Sequence, residues 1–177
     1  MISKSFLKIL TIFALFIASH TATNAQITIP NGNFQFDFPN GKWKYLETLD
    51  VDEQTHLYLY SGSPVVSKDN DTTLPFMRIY VKNNIGKKNS LDYAMERFLQ
   101  QPFMIVDEFS TSPLLPCKDA IGYIGLYSDE GNQKNKFYMI YFVNKGALVE
   151  LRLETTEETF ESKKSDFEDI LKTITLK

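Results

Sequence analysis

The stretch from residue 137 to 154 constrains this chain more than any other. It reads Phe-Tyr-Met-Ile-Tyr-Phe-Val, then the turn Asn144-Lys145-Gly146, then Ala-Leu-Val-Glu-Leu-Arg-Leu-Glu. Two extended runs joined by so short a turn return antiparallel. Successive side chains on a strand point to opposite faces, and here both faces are apolar: Tyr138, Ile140 and Phe142 on one, Phe137, Met139 and Tyr141 on the other. Residues 121–128 repeat the pattern, with Tyr123 beside Ile124, and a Gly131-Asn132 turn joins them to the next run. Strands that are apolar on both faces need cover on both faces.

The remaining segments supply the cover. Phe34, Phe36 and Phe38 alternate with polar residues, Pro39-Asn40-Gly41 makes a turn, and Trp43 and Tyr45 belong to a second short extended piece. Residues 56–61 alternate again, residues 63–75 read as a loop, and 76–82 form a strand with Met77, Ile79 and Val81 facing the core. A helix begins at Asn89 or Ser90, with Leu91, Ala94, Met95, Phe98 and Leu99 as its predicted packing stripe and Pro102 as its stop. Met104 opens another extended stretch. A last helix, opened by Glu158 or Thr159, carries Phe160, Phe167, Ile170, Leu171 and Ile174 on one side. Strands, helix, strands, helix with short turns predict an α+β fold: an antiparallel sheet flanked by helices, an α/β/α sandwich.

The opening Phe36-Asp37-Phe38-Pro39-Asn40-Gly41-Lys42-Trp43 resembles the strand, Pro, Gly, Trp start of PsbP-like domains. The middle helix, the 137–153 hairpin, and the closing helix with its Thr173-Ile174-Thr175-Leu176 tail are similar to the same plan. The resemblance implies a fold more than a chemistry. That family includes the extrinsic PsbP subunit of the photosynthetic oxygen-evolving complex, and the fold recurs in a Ran-binding nuclear-import factor. Such proteins mostly bind other proteins, so the resemblance implies a binding or accessory role and transfers no functional residue.

The amino end reads as an export signal. Lys4 and Lys8 precede an apolar run from Ile9 to Ala18, and Thr23 and Ala25 are the small residues that a signal peptidase selects before Gln26. That run is shorter than the roughly 20 apolar residues that a membrane span needs. Residues 1–25 are thus expected to be removed, leaving 26–177 as a single PsbP-like domain in the periplasm or outside the cell, with no stable span after cleavage. This mature chain carries 17 basic and 22 acidic residues, a net charge of −5 that disfavours nucleic acid and anionic lipid. Its lone cysteine, Cys117, cannot form an internal disulfide and reads as a small apolar residue.

Chemistry-bearing motifs are sparse. His56 is the only histidine after residue 25, and no G-x-S-x-G elbow occurs, so a catalytic triad finds little footing. One histidine and one cysteine make a poor zinc set. Asp69-Asn70-Asp71-Thr72-Thr73 matches the D-x-D-x-T of aspartyl phosphotransferases, but that nucleophile needs a buried parallel strand before it, and Ser63 to Lys68 read as a loop. As a calcium loop it has Leu74 and Tyr80 where Gly and Glu are needed. No cofactor is implied. Asp50, Asp52 and Glu53, and Glu154, Glu157, Glu158 and Glu161, form two acidic runs. The second suits a helix start.

Tyr58, Tyr60, Tyr80 and Tyr138 are expected to share one sheet face. Covered by a helix, that face is core; left open, it is an aromatic patch, and His56, Tyr58, Tyr60, Tyr80, Asp69 and Asp71 mark a candidate partner or ligand surface. The reading is an exported, non-catalytic module that binds another envelope protein. The alternatives are a small envelope hydrolase and a glycan or small-ligand binder using the tyrosine face. Mass spectrometry of the exported protein is expected to find Gln26 at its amino terminus; residues 1–25 still attached would contradict the signal reading.

Overall fold

The computed structural model describes residues 26–39, 41–67, 70, 72–100, 105–111 (backbone only), 117–129 and 131–177. The signal reading of residues 1–25, Asn40 of the first turn, Asp69 and Asp71 of the acidic motif, Pro102 and Met104 lie outside the described residues.

A seven-stranded antiparallel sheet forms the centre, in the order β3-β4-β7-β11-β10-β9-β8. Its strands are β3 (Lys44–Asp52), β4 (Thr55–Ser61), β7 (Phe76–Lys82), β8 (Ile105–Thr111), β9 (Ile121–Ser128), β10 (Lys134–Asn144) and β11 (Ala147–Thr156). A smaller sheet joins β1 (Ile27–Ile29), β2 (Phe34–Phe36) and β12 (Thr175–Leu176), and the 63–75 stretch holds a miniature hairpin of β5 (Val65–Val66) and β6 (Thr72–Thr73). The helices are α1 (Ser90–Leu99) and α2 (Glu157–Lys172).

The hairpin expected from the sequence is present in full register, from Asn135 opposite Thr156 to Asn144 opposite Ala147. Lys145 and Gly146 both take positive φ, 48° and 78°. That pair of conformations matches the right-handed twist of the strands it joins. The expected α/β/α sandwich follows. One face of the sheet carries Tyr58, Tyr60, Met77, Ile79, Tyr138, Ile140, Leu151 and Leu153, which pack with Phe160, Phe167, Ile170 and Leu171 of α2. The small sheet seals the same face, Phe36 meeting Tyr60 edge-on at 5.8 Å, and beyond it Trp43, ahead of β3, meets Phe167 at 5.5 Å. The other face carries Tyr123, Phe137, Met139 and Tyr141 beneath Tyr93 and Ala94 of α1.

Two local expectations need correction. Asn89 caps α1 through a full capping box, its side chain accepting from Asp92 N–H while Asp92 accepts from Asn89 N–H. The helix is nevertheless rotated from the predicted seating. Of the predicted stripe only Ala94 is buried, whereas Leu91, Met95, Phe98 and Leu99 are exposed, Leu99 by 75%. Tyr93 takes the buried place instead. The short extended piece at Trp43 and Tyr45 is also longer than expected, a nine-residue edge strand with every side chain exposed.

Gly125 shows how tightly the second face is filled. It stands opposite Phe137, and a Cβ there would lie 2.3 Å from the ring. Gly125→Ala is expected to cost about 1–3 kcal/mol through overpacking, read as a lowered urea midpoint. An unchanged midpoint would show that the ring has room to move.

Candidate functional site

Strand β11 alternates Val149, Leu151 and Leu153 on one face with Glu150, Arg152 and Glu154 on the other. Strand β7 beside it places Arg78 and Tyr80 on that same second face, with Arg78 directly opposite Arg152 and Tyr80 opposite Glu150. Two guanidiniums facing each other across a ladder repel. Glu154, one step along, resolves the conflict: its Oε2 accepts from Arg78 Nη2 at 2.8 Å and lies 2.7 Å from Arg152 Nη2. The Tyr127 hydroxyl donates to the other oxygen of Glu154. The Arg152 guanidinium also sits over Phe137, its Cζ 4.4 Å from the ring centre, and over Tyr127 at 5.2 Å.

Glu150 is only 8% exposed, and its partner comes from the helix: Arg97 of α1 donates through Nε at 3.2 Å. The same guanidinium sits over the Tyr80 ring at 5.4 Å. This pairing accounts for the rotation of α1. A carboxylate buried in a sheet face needs a cation, and bringing Arg97 down to it carries Leu91, Met95, Phe98 and Leu99 outward.

Burial and these neighbours shift the titrating groups. Burial pulls Arg97 down, but the Glu150 carboxylate outweighs it and leaves the guanidinium raised. Burial first, then Arg78 opposite, lowers Arg152. Burial and the bond to Glu154 push the Tyr127 hydroxyl up to about 12. Burial, then Glu150, raises Tyr141, and burial raises Tyr123. Both oxygens of Glu154 are engaged, so this cluster holds charge in place rather than offering a free base or nucleophile.

The residues singled out from the sequence are dispersed. Tyr58 and Tyr60 lie in the core, Tyr60 against Phe36 and Phe38 and only 2% exposed, and burial raises both hydroxyls. Tyr138 shares their face, but Tyr80 stands on the opposite one, opposite Leu57 and Glu150 in its two ladders. The shared tyrosine face is therefore not formed. The reason is register: Tyr58 faces Ile79, not Tyr80. His56 sits on the β3–β4 hairpin with Nδ1 2.7 Å from Asp50 Oδ1. Asp69 and Asp71 are outside the described residues. The second acidic run divides: Glu154 joins the arginine cluster, while Glu157 and Glu161 face Lys134 and Lys136. Half-buried Cys117 packs against the core and donates to the Val143 carbonyl. The sequence reading missed Arg78, Arg97, Glu150 and Arg152. The signal was the strict charge alternation Glu150-Leu151-Arg152-Leu153-Glu154.

Among solved structures, the chain is similar to LpqN from Mycobacterium tuberculosis, at 13% identity over 92% of this chain and 95% of that one, with a TM-score of 0.56. It is also similar to a Bacteroides thetaiotaomicron structure, at 13% identity and a TM-score of 0.53. That match covers 86% of this chain, which spans about half (48%) of the Bacteroides chain. Cyanobacterial PsbP from Synechocystis matches at 13% identity over 89% of this chain and 96% of that one, with a TM-score of 0.48. No family model matches the sequence, and no curated protein matches it. The likeness to LpqN and to the Bacteroides structure is one of fold. No helix among the described residues is long and apolar enough to cross a membrane.

Glu154→Gln leaves Arg78 and Arg152 facing each other without their shared carboxylate. After allowing for solvent screening at half-exposed Arg78, the cost is expected to be roughly 1–3 kcal/mol. Adding Arg78→Met should recover part of it. Equal stability of Glu154→Gln and the parent in urea would show that the cluster contributes nothing.

Proposed function

We propose that this chain is an exported, non-catalytic accessory module of the cell envelope that works by binding another protein. Its contact surface is the outer stripe of α1. The observation that carries this reading is the outward seating of Leu91, Met95, Phe98 and Leu99. They recur at i, i+4, i+7 and i+8, the spacing by which an amphipathic helix fills an apolar groove. An apolar stripe held in water is costly unless a partner covers it. Here the ion pair beneath it prevents the helix from turning the stripe inward.

Export rests on the amino-terminal pattern of Lys4, Lys8, the Ile9 to Ala18 run and the small residues before Gln26. LpqN, which shares the fold, is described as involved in cell envelope biogenesis, and a similar setting fits a module of this kind. The buried places of Tyr58 and Tyr60 count against a ligand surface built on them.

Met95→Glu combined with Leu99→Glu tests the reading. Both sites are exposed, so the melting transition should move little, within the equivalent of about 0.5 kcal/mol. Capture of envelope proteins by the variant, measured by quantitative mass spectrometry, should fall at least tenfold against the parent. Capture of the same proteins in the same amounts would remove the stripe from the account.

A further inference from the structure

The free edge of β3 carries a second, unrelated pattern. The strand reads Lys44-Tyr-Leu-Glu-Thr-Leu-Asp-Val-Asp52, and among the described residues no strand pairs with its outer edge. Tyr45, Leu46, Leu49 and Val51 are exposed by 57, 47, 43 and 61%. Such an edge invites another strand, and natural proteins usually blunt it with charge and bulges. This strand has both. Its pairing with β4 slips between Tyr45 and Glu47 and again between Asp50 and Asp52, which makes Leu46 and Val51 the extra residues.

The positions of those bulges change what they do. A strand pairs antiparallel with its own copy about a two-fold axis normal to the sheet, so residue i meets a residue of like face. Thr48 faces the same way as Tyr58, whereas Glu47 and Leu49 face the way of Leu59 and Leu57. An axis through Thr48 therefore sets Thr48 against Thr48 and Glu47 against Leu49 of the second copy. Beyond this centre each strand spends one extra residue, Leu46 on one and Val51 on the other. The phase lost on one side is lost equally on its partner. Pairing then resumes with Lys44 opposite Asp52, both facing the same side. Lys44 makes no ion pair among the described residues. The symmetry makes the Lys44–Asp52 contact twice.

We propose that β3 pairs with β3 of a second copy of this chain, antiparallel about Thr48, to continue the sheet through a two-fold dimer. The occupant is another copy because the two ends of the edge complement each other, Lys44 meeting Asp52 twice, while Asp50 is held by His56 of its own hairpin. An unrelated acidic peptide would match only one end of it.

Analytical ultracentrifugation of the purified chain at low salt should show a dimer. Lys44→Asp should raise its dissociation constant about tenfold or more by setting acid against acid at both ends. Lys44→Asp with Asp52→Lys should restore it. Asp52 also accepts from Gln54 N–H in the hairpin turn, so a second measurement avoids that residue. Thr48→Cys in a Cys117→Ser background should form an intermolecular disulfide under mild oxidation. Residues directly opposite across an antiparallel pair have Cα atoms about 4.5–5.5 Å apart, within disulfide reach. A monomer at all concentrations overturns the proposal. So does a dimer that ignores Lys44→Asp and gives no Thr48→Cys cross-link, which would be assembled through another surface.

Discussion

Two carboxylates on the α1 face of the sheet, Glu150 and Glu154, set much of what this molecule presents to its surroundings. A carboxylate in a poorly solvated place is tolerated only with cations and donors around it. Glu154 finds them on its own sheet, in Arg78, Arg152 and Tyr127. Glu150 is met by a cation from the helix above, Arg97. That requirement orients α1, and the orientation decides which side chains meet solvent. A sheet face made wholly of Phe, Met and Tyr would have drawn in Leu91, Met95 and Phe98. The charged half of this face draws in Arg97, with Tyr93 and Ala94 filling the apolar half beside it.

The two faces of the sheet are thus unlike. On the α2 side the contacts are mainly aromatic and aliphatic, with Phe34, Phe36, Phe38, Tyr60 and Trp43 meeting in edge and stacked pairs and a buried Thr155–Thr159–Thr156 hydroxyl bridge at the helix start. Beneath α1 the layer passes from Phe137 and Tyr141 to an arginine–glutamate lattice within one strand spacing. The first face gives the fold its dry core. The second gives it direction, since a salt bridge has one geometry where apolar packing has several. Directional pairing of this kind fixes helix rotation at some expense in desolvation.

Much of the architecture was legible because strands with two apolar faces have few ways to be covered. The 137–154 hairpin, the meander and the Phe160, Phe167, Ile170 and Leu171 stripe all follow from alternation and helical spacing. The seating of α1 did not follow. Periodicity finds that Leu91, Met95 and Leu99 share a side of the helix, but not whether that side meets the sheet. The answer lay in charges 50 or more residues away in sequence, at Glu150. Tyr80 was placed wrongly for a related reason. Parity within one strand is readable, whereas parity between β4 and β7 depends on their register. The edge strand β3 looked short because its apolar residues do not alternate cleanly, and the two bulges explain that.

Methionine oxidation reads the seating of α1, since a thioether reacts with dilute peroxide according to its exposure. Met95 is 49% exposed, while Met77 and Met139 are 3% and 1% exposed. With the folded protein, peptide mass spectrometry should find Met95 converted to the sulfoxide while Met77 and Met139 stay intact until unfolding. Protection of Met95 equal to that of the two sheet methionines would contradict the account, because it would place the apolar side of α1 against the sheet and leave Glu150 without its helix-borne cation.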